Sequence, residues 1–243
     1  MVQLEGRVAL VTGAGRRVGQ AIALALSERG MLIAAHYHES AAGAEETVSR
    51  IRGAGGRADT FRSDLRHVHA CERLIHDVGE TFGALDALVN SAAVMVRTPI
   101  GTVTAADWDD MFAVNLRAPF FCAQAAASML GKRHGAIVNI ADIAGLESWP
   151  AYVPHGVSKA GVIQMTRALA RAMAPAVRVN AVAPGAVLLP EDFGNSETAH
   201  LERTTPLGRI GTPQDVAHAV VYLLEADYVT GETLVVDGGR LVR

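Results

Sequence analysis

The chain has 243 residues, 50% hydrophobic, 19% charged and 5% aromatic, with a net charge of −3. That composition excludes a disordered chain, and 24 glycines without a period exclude a collagen-like one. The weak negative charge gives no general attraction to nucleic acid or anionic membrane, and Cys71 and Cys122 are too few for a disulfide framework or a cysteine zinc site.

Met1–Arg7 leads straight into a strand pattern, unlike a signal peptide, and no apolar run approaches the ~18 residues of a membrane span. A soluble, cytoplasmic protein is expected. Strands are predicted at Val8–Val11, Leu32–His36, Asp59–Arg62, Ala87–Val89, Ala136–Ile140, Arg178–Val182 and Thr233–Val236. Helices are predicted near 17–29, 41–53, 67–81, 105–130, 155–174 and 213–225. Several strand runs are apolar at consecutive positions, as strands buried on both faces of a parallel sheet must be. Regular alternation with helices implies right-handed βαβ units, hence an α/β, doubly wound, three-layer α/β/α fold. No linker, charge block or repeat divides residues 1–243, so one domain is expected.

The first strand runs into Val11-Thr12-Gly13-Ala14-Gly15-Arg16-Arg17-Val18-Gly19, which opens a helix. A glycine turn in that setting suits a dinucleotide. Gly13 permits the tight turn, Gly15 admits a pyrophosphate to backbone N–H groups, and Gly19 allows close packing of helix on strand. The helix N-terminus adds about half a positive charge. Structural glycines alone are the plainer alternative.

At the end of the second strand, NAD-preferring proteins usually carry an acidic residue for the ribose 2′-hydroxyl. This chain has His36-Tyr37-His38-Glu39-Ser40, with Arg16 and Arg17 in the neighbouring turn. Arginines beside histidines and a serine suit a 2′-phosphate, so NADP(H) is expected over NAD(H), with Glu39 working against it. The pairs His36/His38 and His67/His69 lack the remaining ligands of a metal site, and no metal is expected.

Helix 155–174 is apolar nearly all round, with Val157, Ala160, Val162, Ile163, Met165, Leu169 and Ala170. One sheet face cannot bury that, so a homo-oligomer, dimer or tetramer, is expected, with burial under Leu188–Leu207 as the alternative.

Read in order, the motifs resemble the short-chain dehydrogenase/reductase family along essentially the whole chain. They are Thr12-Gly13-x-x-x-Arg17-x-Gly19, Asp64-Leu65, Asn90-Ser-Ala-Ala93, Asn115 in Val114-Asn-Leu116, Val138-Asn-Ile140, Pro184-Gly185 and Val236-Asp-Gly-Gly239. The resemblance implies a Rossmann-type sheet of about seven strands and an NADP(H)-dependent oxidoreductase acting on a small molecule. Asp64 and Leu65 would lie at the adenine. Asn90, Ala92, Pro184, Gly185 and Val187 would line the rest of the cofactor groove. Arg17, the His-Tyr-His segment and Asp142, where most members carry serine, are similar to the pteridine reductases. Met95 stands near where those enzymes have a pterin-stacking aromatic.

The family signature Tyr-x-x-x-Lys reads His155-Gly-Val-Ser-Lys159 here, and none of the four tyrosines (Tyr37, Tyr152, Tyr222, Tyr228) lies at 155. The spacing still puts both groups on one helix face. An imidazole, with an unperturbed pKa of ~6.5, is a competent general acid near neutral pH. Lys159 disfavours imidazolium by repulsion and an ionised Asp142 favours it. The expected mechanism has His155 donating the proton, Asp142 orienting it, Lys159 on the nicotinamide ribose and Asn115 holding a water linked to Lys159. Three alternatives stay open: Tyr152 as the donor, a cofactor-binding protein without catalysis, and a scaffold without nucleotide.

In doubly wound folds ligands lie beyond the carboxyl ends of the strands. Ala93–Arg97, Asp142–Trp149, His155 and Gly185–Phe193 should therefore reach the substrate. Trp149 and Phe193 are candidate walls for a planar carbonyl or imine-like substrate, and Arg97 a candidate counter-charge. Leu188–Thr205 reads as a mobile lid, and Pro190-Glu-Asp192 replaces the usual threonine contact to the carboxamide.

Overall fold

The computed structural model describes residues 1–187 and 194–242. Its strands are β1 (Val8–Val11), β2 (Leu32–Tyr37), β3 (Ala58–Arg62), β4 (Ala87–Asn90), β5 (Ala136–Ile140), β6 (Arg178–Pro184) and β7 (Thr233–Val236). They form one seven-stranded sheet in the order β3-β2-β1-β4-β5-β6-β7 with every pairing parallel. The order reverses between β1 and β4, and such a switch point is where doubly wound sheets bind their ligands, beyond the carboxyl ends of the strands. The expected α/β doubly wound sheet is the fold observed.

The helices are α1 (Arg17–Glu28), α2 (Ala41–Gly53), α3 (Val68–Phe82), α4 (Ala105–Phe112), α5 (Ala118–Lys132), α6 (Val153–Met173), α7 (Asn195–Thr204) and α8 (Pro213–Glu225). Helices cover both sheet faces. One apolar cluster joins Ile22, Leu26, Val48, Val216 and Val220 to Val11 and Ile33, and the other joins Leu74, Ile75, Cys122 and Leu130 to Leu10 and Leu88. This two-sided burial explains the uninterrupted apolar strands.

One expectation needs revision. The stretch 105–130 is not one helix: α4 and α5 are separated by a π-helical segment, Ala113–Arg117. The extra residue per turn there turns Asn115 inward, where it is 1% exposed. Helix α6 carries apolar residues beyond the face that the sheet covers. It buries His155, Ser158, Lys159, Val162, Ile163 and Thr166, and leaves Val157 on its outer face 47% exposed. Of the stretch read as a lid, Leu188–Thr205, Asn195–Thr204 is helix α7, while Leu188–Phe193, including Pro190–Asp192, lie outside the described residues.

His36 shows how the sheet supports the turn above it. It sits in β2, 2% exposed, with Nδ1 accepting from the Gly13 N–H (3.2 Å) and Nε2 donating to the Ser63 carbonyl (3.0 Å). The Gly13 N–H needs an acceptor, so the ring is neutral. Burial is the main cause that lowers its pKa to about 4, against the opposing Ser63 bond. Thr47 on α2 donates to the Ala14 carbonyl at 3.0 Å, and Gln20 donates to Thr47 at 3.0 Å.

Between pH 6.5 and 4 the unfolded chain takes up a proton that the folded chain refuses, so stability rises with pH across this window and is lost as pH falls through it. The effect amounts to about 3 kcal/mol. Urea titrations at successive pH values should show His36→Asn less stable than the parent at pH 7, with the gap closing by about that amount near pH 4. A gap independent of pH would refute the neutral brace.

Candidate active site

The cofactor half of the site is the turn between β1 and α1. Gly13 has a φ of 70°, which favours glycine, and a Cβ there would stand 3.0 Å from the Ala92 Cα. A Cβ on Gly15 would lie 2.9 Å from the Ser40 carbonyl oxygen, and one on Gly19 would run into the Gly13 carbonyl. Gly43, in the first turn of α2, likewise leaves no room for a side chain against the Gly15 carbonyl. Three backbones therefore meet around the N-terminus of α1, where first-turn N–H groups lack helical partners. That is a cradle for a phosphate group.

Arg16 and Arg17 are exposed at the mouth of this cradle, with Val18 half-buried behind them. Tyr37, His38 and Ser40 are half-buried at the end of β2, whereas His36 lies beneath the turn with both ring nitrogens engaged. The Glu39 side chain is 87% exposed, and its carboxylate is 3.7 Å from His38 Nδ1. Asp64 holds Arg66 through Nε (3.0 Å) and Nη2 (2.9 Å), and Arg66 is the main cause that lowers its pKa to about 2. Leu65 is in the core, 6% exposed.

Asn90 also turns inward, donating to Asn139 Oδ1 at 2.8 Å, and Asn139 donates to Thr166 at 2.9 Å. Its part is to tie β4 to β5 and α6. Thr12 Oγ1 accepts from the Ser91 and Ala92 N–H groups (2.9 and 3.0 Å) and so fastens the loop after β4 to β1. Pro184 ends β6, and the Gly185 N–H donates to the Val236 carbonyl at 2.9 Å. Val187 packs partly buried on the first core cluster.

The chemical half lies between β5, α6 and the loop after β4. Asp142 caps the short helix Ile143–Gly145 by accepting from the Ala144 N–H at 2.8 Å. That leaves its Oδ2 directed at His155, 3.5 Å from Nε2. The other ring nitrogen, Nδ1, is 3.4 Å from the Val94 carbonyl oxygen. Helix α6 passes close under this capped turn, since a Cβ on Gly145 would be 2.7 Å from the Ala160 nitrogen.

The Asn115 side-chain amide is engaged within the protein. Its Nδ2 donates to the Val94 carbonyl (2.9 Å) and to Ser158 Oγ (3.1 Å), and its Oδ1 accepts from the Val94 N–H (2.8 Å). Ser158, which sequence reasoning missed, donates to the His155 carbonyl at 2.7 Å. Lys159 is buried and donates to the Ile140 carbonyl at 2.8 Å. Burial lowers its pKa to about 8, opposed by the Asp142 charge. Tyr152 precedes the first residue of α6, with its ring edge-on to Trp149 at 6.0 Å.

The Thr98 N–H donates to the Ala151 carbonyl at 2.8 Å, joining the two loops that flank His155. Met95 and Leu146 remain largely exposed there. Among the described residues no group of His, Cys, Asp and Glu could hold a metal ion, and no helix is long and apolar enough to cross a membrane.

A family model for enoyl-(acyl carrier protein) reductase matches residues 13–240. A 3beta-hydroxysteroid dehydrogenase from Eggerthella lenta is 36% identical over 245 residues, covering 97% of this chain and 94% of its own length. A 3-oxoacyl-acyl-carrier-protein reductase from Synechocystis sp. is 34% identical over 247 residues, covering 100% of both. The crystal structure of a dehydrogenase/reductase from Sinorhizobium meliloti superposes with a TM-score of 0.92 at 37% identity, covering 98% of this chain and 97% of its own. A blue fluorescent protein from a metagenomic library, in complex with NADPH, superposes with a TM-score of 0.92 at 31% identity, covering 98% and 99%. Similarity over the whole length, on a sheet with its switch point between β1 and β4, makes this chain a member of the short-chain dehydrogenase/reductase family of oxidoreductases.

Proposed function

We propose that the protein is an NADPH-dependent reductase of a small carbonyl or imine-like compound with a planar body, and that His155 paired with Asp142 supplies the proton. The observation that carries this reading is the double acceptor around His155. Nε2 faces a carboxylate oxygen and Nδ1 a main-chain carbonyl. Each ring nitrogen therefore has an acceptor beside it, so the ring carries an N–H donor there in either tautomer. After Nε2 gives its proton to the developing alkoxide, Nδ1–H still donates to Val94. Tyr152 is a weaker candidate, because it stands outside α6 and its ring packs on Trp149.

The cofactor, when bound, supplies the hydride. Gly13, Gly15, Val18 and Gly19 would shape the pyrophosphate cradle, with Ala92, Pro184, Gly185 and Val187 along the groove. Arg16 and Arg17, with Tyr37, His38 and Ser40 nearby, would meet a 2′-phosphate, and Glu39 points to solvent. Asp64 would border the adenine while holding Arg66. Lys159, still cationic below pH 8, would hold the nicotinamide ribose. Asn115 acts by clamping Val94, the residue that orients His155.

The relatives named for 3-oxoacyl and 3beta-hydroxysteroid substrates support a carbonyl as the reduced group. A pterin is supported only by Arg17, the His36–His38 segment and Asp142. The outer faces of α5 and α6 support a homo-oligomer: a cleft of about 1040 Å³ there is lined by Phe112, Leu116, Phe120 and Met165, with Asp109, Asp110 and Arg117 at its rim.

His155→Phe should lower turnover on an accepted carbonyl by about 100- to 10,000-fold. The parent's chemical step should slow as pH rises through about 8 and the Lys159 cation is lost. Unchanged turnover in the variant rejects His155 as the acid. The double variant Arg16→Ala/Arg17→Ala should weaken NADPH binding by about ten- to a hundred-fold in fluorescence titrations and leave NADH binding nearly unchanged. Sedimentation should give a multiple of the 25.5 kDa chain mass, reduced toward one chain by Phe120→Glu.

A further inference from the structure

Arg240 stands where three carboxyl-end loops meet. Asp237 accepts from the N–H groups of Gly239 (2.7 Å) and Leu241 (2.8 Å), which winds the chain into the short turn Arg240–Val242. The residues before it lie directly on the loop after β6, since a Cβ on Gly185 would be 2.8 Å from the Asp237 Cβ. They also touch the segment after α7, where the Gly238 carbonyl accepts from the Leu207 N–H at 3.1 Å. The Arg240 side chain, 16% exposed, then reaches the β5–α6 loop, with Nε 3.8 Å from Glu147 Oε1.

That distance is too long for a hydrogen bond, and Nε is buried with no hydrogen-bond partner among the described residues. The Glu147 carboxylate already accepts the Trp149 indole N–H at 2.6 Å. A cation at this depth has lost much of its hydration, and leaving that Nε–H donor unmade is costly. A carboxylate matches a guanidinium in plane and charge and can take two N–H groups at once. The aromatic pair Trp149–Tyr152 beside Glu147 offers an apolar wall for the body of such a ligand.

We infer that Arg240, with Trp149, forms an anion subsite where the chain after β7 meets the β5–α6 loop, taking a carboxylate on a planar or apolar body. Calling that ligand a substrate, an oxo acid whose carbonyl is reduced at His155, rests on the reductase reading above. The binding itself does not. The ligand carboxylate shares the guanidinium with Glu147, whose charge opposes it at close range.

Trp149 reports on the subsite once the chain's other tryptophan is silenced as Trp108→Phe. In that background, with NADP⁺ present, benzoate and its neutral counterpart benzamide are titrated by intrinsic fluorescence. Benzoate should bind at least about ten-fold more tightly. Arg240→Met should erase the preference and leave benzamide binding as it was. Glu147→Gln should raise benzoate affinity, a gain that misfolding cannot produce. Equal binding of the two ligands, a preference that survives Arg240→Met, or no response of Trp149 to benzoate overturns the subsite. No turnover is measured, so these outcomes leave the reductase reading standing, and a protein that fails to oxidise NADPH can still show the subsite.

Discussion

Because all seven strands run the same way, their carboxyl ends share one edge of the sheet, and every loop leaving that edge must turn back to a helix on one face or the other. The loops after β1, β4, β5, β6 and β7 are crowded together by this one constraint. Hydrogen bonds hold the result: Thr12 ties the end of β1 to the loop after β4, Thr98 ties that loop to the one after β5 at Ala151, and Gly185 ties the loop after β6 to the end of β7 at Val236. The site is less a set of side chains on one element than an agreement among loops, and parallel pairing enforces it.

Polar groups inside the protein carry much of that agreement. Asn90, Asn139 and Thr166 form a buried chain of hydrogen bonds linking β4, β5 and α6. Buried polar groups are costly unless satisfied, so each bond penalises any loop arrangement that breaks it. Lys159 shows the electrostatic side of the same economy. It is buried as a cation-bearing residue, with the Ile140 carbonyl as its acceptor and Asp142 as the nearby opposite charge. Removing Asp142 would therefore alter the lysine as well as the histidine.

Much of this was legible in the residues. The predicted runs marked every strand to within two residues; for the central strands this is because burial on both faces removes the alternation, whereas the edge strand β3 alternates. The glycine turn and the spacing of His155 and Lys159 were legible because each depends on neighbouring residues. What escaped depends on side-chain direction or distant contacts. His36 reads from sequence as a cofactor residue at the end of a strand, yet it faces inward under the turn. In a strand covered on both sides, position does not disclose the face. The π-helical segment at Asn115 left no trace in the apolar periodicity, which continues on either side. Gly43 carried a faint signal, a glycine in a helical first turn, but its partner Gly15 is distant in sequence.

The Val94 carbonyl is a modest feature with a long reach. One of the two acceptors facing His155 belongs to the main chain, and Val94 is itself held at both its N–H and its C=O by Asn115. No substitution at residue 94 can delete that oxygen. A change of side chain at 94 would therefore leave that acceptor in place beside His155, so the main-chain half of its surroundings depends on the Asn115 clamp and not on the identity of residue 94.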